Sequence, residues 1–243
     1  MALAPVVIAG FGLLLAGAVK GATGLGYASC ALPFLVLALG LKPAMGLVIL
    51  PAIATNISLA FATAHFRETV TRFRWMYVTM LPGIGVGIWL LLWVSQLLAV
   101  RFLGLIIVAY AVLALSRPGL SLPSYLEAPL QWPTGFLNGV VTGLTGAQVM
   151  PLFPYVLALQ MDSDRTVQAI NLAVMIASTV LAIGLVGTGI LTPPLFAASV
   201  AAVVPALIGV QLGNRARQIV PVAQFRKIAL LTLLLIGILM LWR

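Results

Sequence analysis

Charge is what this sequence lacks most. Charged residues make up 7% of its 243 residues and hydrophobic residues 63%, whereas roughly 25% of the residues in a soluble domain are charged. Uncharged runs at 43–64, 75–100 and 166–214 reach or exceed the roughly 20 residues that cross a bilayer as a helix. Because strand-like alternation is absent, the composition predicts an all-α integral membrane protein in contact with the lipid bilayer.

Acids, cysteine and histidine are also scarce. The chain has four acidic residues, all in predicted loops, and one residue each of cysteine and histidine. This excludes an intrachain disulfide, makes a metal cluster or a Cys/His catalytic pair implausible, and leaves no carboxylate within a span as a proton relay. A phosphate-binding G-x-x-x-x-G-K-[ST] loop is missing, which argues against a primary pump. We therefore expect no enzyme activity, no cofactor and no metal site.

Basic residues are more frequent, at 13 Lys+Arg. They are scattered over short loops and form no folded basic face, so a nucleic-acid partner is not expected, and orientation in the membrane explains them better.

Ten apolar segments are separated by glycine, proline and charge. A polar linker, 116–127, divides the chain into a first membrane repeat, 1–115, and a second, 128–243. The segments lie at 3–19, 27–40, 43–64, 75–94, 98–116, 128–142, 149–160, 166–187, 192–213 and 224–242.

An internal duplication relates the two halves. A shift of about 123 residues superposes Gly17-x-x-x-Gly21-x-x-Gly24 on Gly139-x-x-x-Gly143-x-x-Gly146, and it brings proline onto proline and phenylalanine onto phenylalanine further along. Five segments per half is an odd number, which predicts that the second repeat has inverted topology. The distribution of basic residues agrees with inverted topology. In the first half the loop after the third segment is rich in arginine, whereas in the second half it is the loop after the fourth segment. With those loops in the cytoplasm of an inner-membrane, multi-pass protein, both termini lie outside.

The second segment of each half, 27–40 and 149–160, is too short to span comfortably. This favours glycine-broken hairpin helices that meet near the midplane, although two full spans are the alternative. Segments broken at matching places in two halves are typical of a transporter's binding site.

The first glycine break predicts an anion site. Lys20 could neutralise an anion, and Gly21, Gly24 and Gly26 permit a tight turn with free amides. The competing explanations are a lysine that reaches the membrane interface and glycines that serve close helix packing. The second break repeats the pattern with Gly143 and Gly146.

Polar side chains near both breaks add hydrogen-bond donors. They are Thr23, Thr142, Thr145 and Gln148, together with Asn56 in the third segment. Threonines in membrane helices often bond their own backbone, and buried amides such as Asn138 and Asn171 either hold helices together or line a pathway.

These motifs resemble the TauE/SafE sulfite exporter family. Lys20-Gly-Ala-Thr-Gly-Leu-Gly26 followed by Pro33 looks like the first basic-Gly-x-[Ser/Thr]-Gly-x-Gly motif of that family. The run from Asn138 to Gly146, with Asp164-Arg165-x-x-Gln168-Ala169, is similar to its second-half signature. Ala147-Gln148-Val149 departs from the family pattern, where many members have further small residues.

The resemblance implies a permease that exports a small sulfur-containing anion such as sulfite or an organosulfonate. An ion-coupled importer of another small organic solute is the alternative, and a membrane-embedded enzyme or non-transporting subunit is a third, for which the sequence offers no catalytic constellation. The sequence leaves homo-oligomer formation open.

Overall fold

The computed structural model describes residues 3–60, 66–116, 119–219 and 222–242. Within those ranges the chain is helical, with no strand, and it forms eleven helices. The first half contains α1 (Leu3–Thr23), α2 (Tyr27–Leu39), α3 (Leu41–Ala60), α4 (Phe66–Arg72), α5 (Arg74–Trp93) and α6 (Gln96–Ser116). The second contains α7 (Ser124–Thr145), α8 (Leu152–Ala158), α9 (Ser163–Gly187), α10 (Pro193–Ala216) and α11 (Val222–Trp242).

Five of the described helices are long and apolar enough to cross a membrane. They are α1, α5, α6, α9 and α10, and α2 and α3 contribute shorter apolar stretches. Together with the abundance of exposed large hydrophobic side chains on these helices, this is the architecture of an integral membrane protein. The all-α membrane fold predicted from composition is confirmed.

The two short segments are short helices. α2 has 13 residues and α8 has 7, and α8 follows a cis peptide bond between Met150 and Pro151. α7 begins at Ser124, so the predicted linker, 116–127, includes its first turn.

The loop predicted after the third segment contains a helix, α4, that sequence reasoning missed. Arg72 at its end forms a two-pronged ion pair with Glu127 of α7, at 2.6 Å and 3.0 Å, and this hydrogen bonding raises the pKa of the Arg72 guanidinium. Thr69 donates to Oε1 of Gln168 in α9 at 3.0 Å. α4 therefore connects the first half to two helices of the second.

The first helix of each half packs against a helix of the other half. α1 lies along α10, and α7 lies along α5. At both crossings the backbones touch through glycines: a Cβ added to Gly17, Gly209, Gly83 or Gly139 would lie 2.2 to 2.3 Å from a carbonyl oxygen of the facing helix. No real Cβ tolerates that distance, so glycine is required for the close approach that membrane helices use in place of hydrophobic burial. Further contacts between the halves join α3 to α9 and α10, and α6 to α11.

Candidate substrate-binding site

Lys20 is buried in the last turn of α1, with 2% of its surface exposed. Its ammonium donates hydrogen bonds to Oδ1 of Asn56 in α3 and, at 2.7 Å, to Oδ1 of Asn171 in α9. Each amide is held by its own helix, because Nδ2 of Asn56 donates to the carbonyl of Ala52 and Nδ2 of Asn171 to that of Val167. Three helices from both halves therefore converge on one cation.

The turn between α1 and α2 is built by glycines in the left-handed region. Gly24 has φ +77° and Gly26 has φ +83°, conformations that only glycine adopts without strain. The Thr23 hydroxyl donates to the carbonyl of Val19 at 2.8 Å. Nδ2 of Asn171 also donates to the carbonyl of Gly24 at 3.0 Å, so the same asparagine that contacts the lysine fixes the turn.

A substitution at Gly24 tests backbone conformation without steric clash. An added Cβ would meet only the Val167 methyl groups, at 3.5 Å, which is an ordinary van der Waals distance. Gly24→Ala is expected to destabilise the protein by about 1 kcal/mol, the cost of a left-handed alanine, and Gly24→Asn by less, because asparagine visits this region more readily. Thermal unfolding in detergent measures both variants. Equal stability of wild type, alanine and asparagine variants would contradict the left-handed turn.

A small cavity of about 10 Å³ adjoins Lys20. Its wall includes Asn56, Asn171 and the start of α2, from the residue that caps it, Gly26, to Ser29. The first N–H groups of a helix lack intrahelical acceptors, and the helix dipole makes this end favourable for anions. The volume suffices for about one water molecule, so the protein is closed around the lysine.

Two residues of the cavity wall carry buried polar atoms that have no hydrogen-bond partner: Oη of Tyr27 and Oε1 of Gln148. Such groups cost about 1–3 kcal/mol when left unpaired, and a polar ligand would relieve that cost. The Tyr27 hydroxyl can donate directly. Gln148 donates from Nε2 to Oγ of Ser178 at 3.0 Å, and because a hydroxyl also donates, the amide can turn over and present Nε2 to the cavity.

The eleven residues predicted from sequence separate into groups. Lys20, Gly26, Asn56 and Gln148 line the cavity together, and Thr23 lines the cavity next to it. Gly21 and Gly143 face helix backbone, where an added Cβ would lie 2.1 Å and 2.3 Å from carbonyl oxygens of α10 and α5. Gly24 shapes the first turn, and Thr142, Thr145 and Gly146 belong to the second.

The second turn repeats the first without its cation. Gly146 has φ +77°, and its N–H donates to the carbonyl of Thr142 as that of Gly24 donates to Lys20. Thr142 therefore occupies the position that corresponds to Lys20, and its hydroxyl donates to the Ala147 carbonyl at 3.2 Å. The two turns share this left-handed glycine and its hydrogen bond, but the second left-handed glycine, Gly26, and the positive charge belong to the first alone.

Sequence reasoning missed Tyr27 and Asn171 as residues of this site, and Ser178 as the hydrogen-bond partner of Gln148. Tyr27 was detectable as the first side chain after the glycine motif. Asn171 lies about one helical turn beyond Gln168, which belongs to the motif that carried the second-half resemblance. Ser178 has no comparable signal in the sequence.

All four carboxylates lie away from this cavity. Glu68, Glu127, Asp162 and Asp164 are absent from its wall, and the described hydrogen-bond partners of Lys20 are both neutral. Among the residues that the structure describes, no group of three His, Cys, Asp or Glu residues could hold a metal ion. A buried cation with neutral partners is costly and favours an anionic ligand.

A family model described as "Sulfite exporter TauE/SafE" matches residues 8–240. The chain belongs to this family. Membership in the TauE/SafE family, together with the apolar helices, makes it a multi-pass membrane transporter and points away from an enzyme. Neither the comparison with curated proteins nor that with solved structures gives a match.

Proposed function

We propose that this chain is a permease that binds a small sulfur-containing anion, sulfite or an organosulfonate, at Lys20 and exports it. The observation that carries the proposal is the buried Lys20 ammonium with neutral partners at the N-terminus of α2. The N–H groups of α2, the Tyr27 hydroxyl and a turned Gln148 amide would donate to the oxygens of a sulfonate or sulfite group. These are the preorganised donors that oxyanions require.

The proposed direction follows from charge. An inside-negative potential of 100 mV contributes about 2.3 kcal/mol per negative charge that moves outward. None of the acids lies at the site, so a coupling cation has no carboxylate ligand there. Export driven by the membrane potential is consistent with this set of residues.

The proposed architecture for this transport is a pair of inverted repeats with both termini outside. It is supported by the exchanged packing of α1 on α10 and α7 on α5, and by the alternating basic loops. A reporter fused after Arg243 tests it, with activity on the periplasmic side expected. A cytoplasmic reporter would overturn the inverted topology.

A flux screen in proteoliposomes tests the proposed substrate class. Vesicles loaded with sulfite, sulfate, thiosulfate or several sulfonates are given an imposed potential, and efflux is followed. We expect flux of at least one sulfur anion, rising when the potential draws anions outward. Flux that collapses when an ion gradient is removed would instead favour the ion-coupled importer, and absence of anion flux would overturn the proposal.

A further inference from the structure

Two further cavities continue from the small cavity at Lys20 towards the surface. The middle one, of about 160 Å³, shares Gly26, Ser29 and Phe153 with the wall of the small cavity. The outer one, of about 640 Å³, shares Tyr110 and Arg226 with the middle one. The three cavities therefore form a row, joined through shared wall residues, that lies between α1, α2, α6, α8 and α11 and ends at the buried lysine beside α3 and α9.

Two basic side chains lie at the outer end of this row. Arg226 lines both the outer and the middle cavity, and Lys227 lines the outer one. None of the acidic residues lines either cavity. A recess of one charge sign concentrates ions of the opposite sign and accelerates their association.

An aromatic pair separates the cavities. Tyr110 belongs to the outer and middle walls and Phe153 to the middle and inner walls. Their rings meet edge to face, with centroids 5.6 Å apart and planes at 90°, a favourable aromatic geometry. The two rings therefore lie at the boundaries between the cavities that lead from Arg226 to Lys20.

We propose that the row of cavities is the substrate's path to Lys20. On this path Arg226 is the first residue to bind the anion, and the Tyr110 side chain blocks passage between the outer and the middle cavity. The inference rests on the proposed anion permease, because the path ends at the Lys20 site. The predicted orientation places Arg226 on the cytoplasmic side, where an exported anion enters. The ligand class is a small oxyanion in water rather than a lipid headgroup.

The single cysteine of the chain makes this path measurable without engineering. Cys30 lines the middle cavity, between Tyr110 and the lysine. It also borders an apolar cavity of about 140 Å³, which a charged, membrane-impermeant reagent does not favour. Modification of Cys30 by charged methanethiosulfonates therefore reports passage through the outer cavity.

The experiment compares an anionic sulfonatoethyl reagent with a cationic trimethylammonium reagent in phosphatidylcholine nanodiscs, with Cys30→Ser as the blank. We expect Arg226→Gln to slow the anionic reagent about tenfold, the lower range of electrostatic acceleration in charged clefts, without slowing the cationic one. Arg215→Gln removes an exposed cation on α10 outside the cavities and should change neither rate. Tyr110→Ala should accelerate both reagents.

Three results would overturn the inference. The first is no labelling of Cys30 in any variant, and the second is equal slowing of the anionic reagent by Arg226→Gln and Arg215→Gln. The third is loss of the Arg226→Gln effect when phosphatidylglycerol is added to the nanodiscs, which would show that Arg226 binds a lipid headgroup. Labelling needs no transport. Failure of the flux screen with charge-selective labelling intact would therefore overturn the proposed function and leave the path standing.

Discussion

Lys20→Met is expected to lower anion flux through proteoliposomes roughly 10- to 100-fold, because hydrogen bonds to a charged group contribute about 1.5–3 kcal/mol and 1.4 kcal/mol is a factor of ten. Methionine keeps the four-atom apolar stem of the side chain and removes the ammonium. The variant should still fold. The amide oxygens of Asn56 and Asn171 lose their hydrogen-bond donor, which lowers stability, but removal of a buried charge raises stability and offsets that loss. Initial flux rates and thermal unfolding in detergent measure the two effects separately.

Two companion variants separate charge from shape. Asn171→Asp is nearly isosteric and places a carboxylate 2.7 Å from the ammonium, so it should neutralise the site and lower flux. It also removes the Nδ2 donor to the carbonyls of Val167 and Gly24, so thermal unfolding in detergent is measured beside flux. Lys20→Arg keeps the charge, but it replaces a compact ammonium that donates to Asn56 and Asn171 with a longer, planar guanidinium, so it should not support wild-type flux. Lys42→Met, a lysine outside the cavity, is the matched control. Wild-type flux in both Lys20→Met and Asn171→Asp would remove Lys20 from the mechanism.

Gly17→Ala is expected to destabilise the protein by at least about 2 kcal/mol, near the upper end of what overpacking costs. Its Cβ would lie 2.3 Å from the carbonyl oxygen of Ala206 and 3.0 Å from the Cα of Gly209. Both neighbours are backbone, so α1 and α10 would have to move apart along their contact. Thermal unfolding in detergent measures the loss, and Gly17 lines none of the three cavities on the proposed path.

Gly10→Ala is the control for this prediction, because it lies on the same helix and its Cβ would meet nothing within 4 Å. Alanine has the higher helix propensity, so this variant should be neutral or slightly stabilising. The crossing of α5 and α7 offers a second pair of variants. Gly87→Ala should lower stability, and Gly85→Ala should leave it unchanged. Equal effects of Gly17→Ala and Gly10→Ala would show that α1 and α10 do not touch as described.

Hydrophobic runs predicted the long helices well, since a membrane span is specified by composition over about 20 residues. The segments at 75–94 and 166–187 correspond to α5 and α9 with small shifts at their ends. α4 was missed because its seven residues, including Arg67, Glu68 and Arg72, have no apolar run. Its stability comes from contacts to α7 and α9, which no local pattern reports.

The candidate site was predictable in part. A lysine within an apolar segment and beside glycines predicted Lys20 as a site residue, and the structure places it against Asn56, as a shared site requires. Asn171 was not separable from Asn138 by sequence, because each is an amide inside an apolar helix and only the rotation of the helix decides which cavity it faces. The glycines were ambiguous for a similar reason. Gly21 meets helix backbone whereas Gly26 lines a cavity, although they belong to one motif.

The exchange of partners between the halves has a consequence for biosynthesis. A ribosome releases α1 long before it makes α10, and α7 can pack on α5 as soon as it is inserted. The glycine face of α1 therefore waits in the bilayer while most of the chain is made, and its docking is among the last steps of assembly. Quality control that detects unpaired small-residue faces would then act on α1, and truncation before α10 would leave a protein with its lysine turn unsupported on that side.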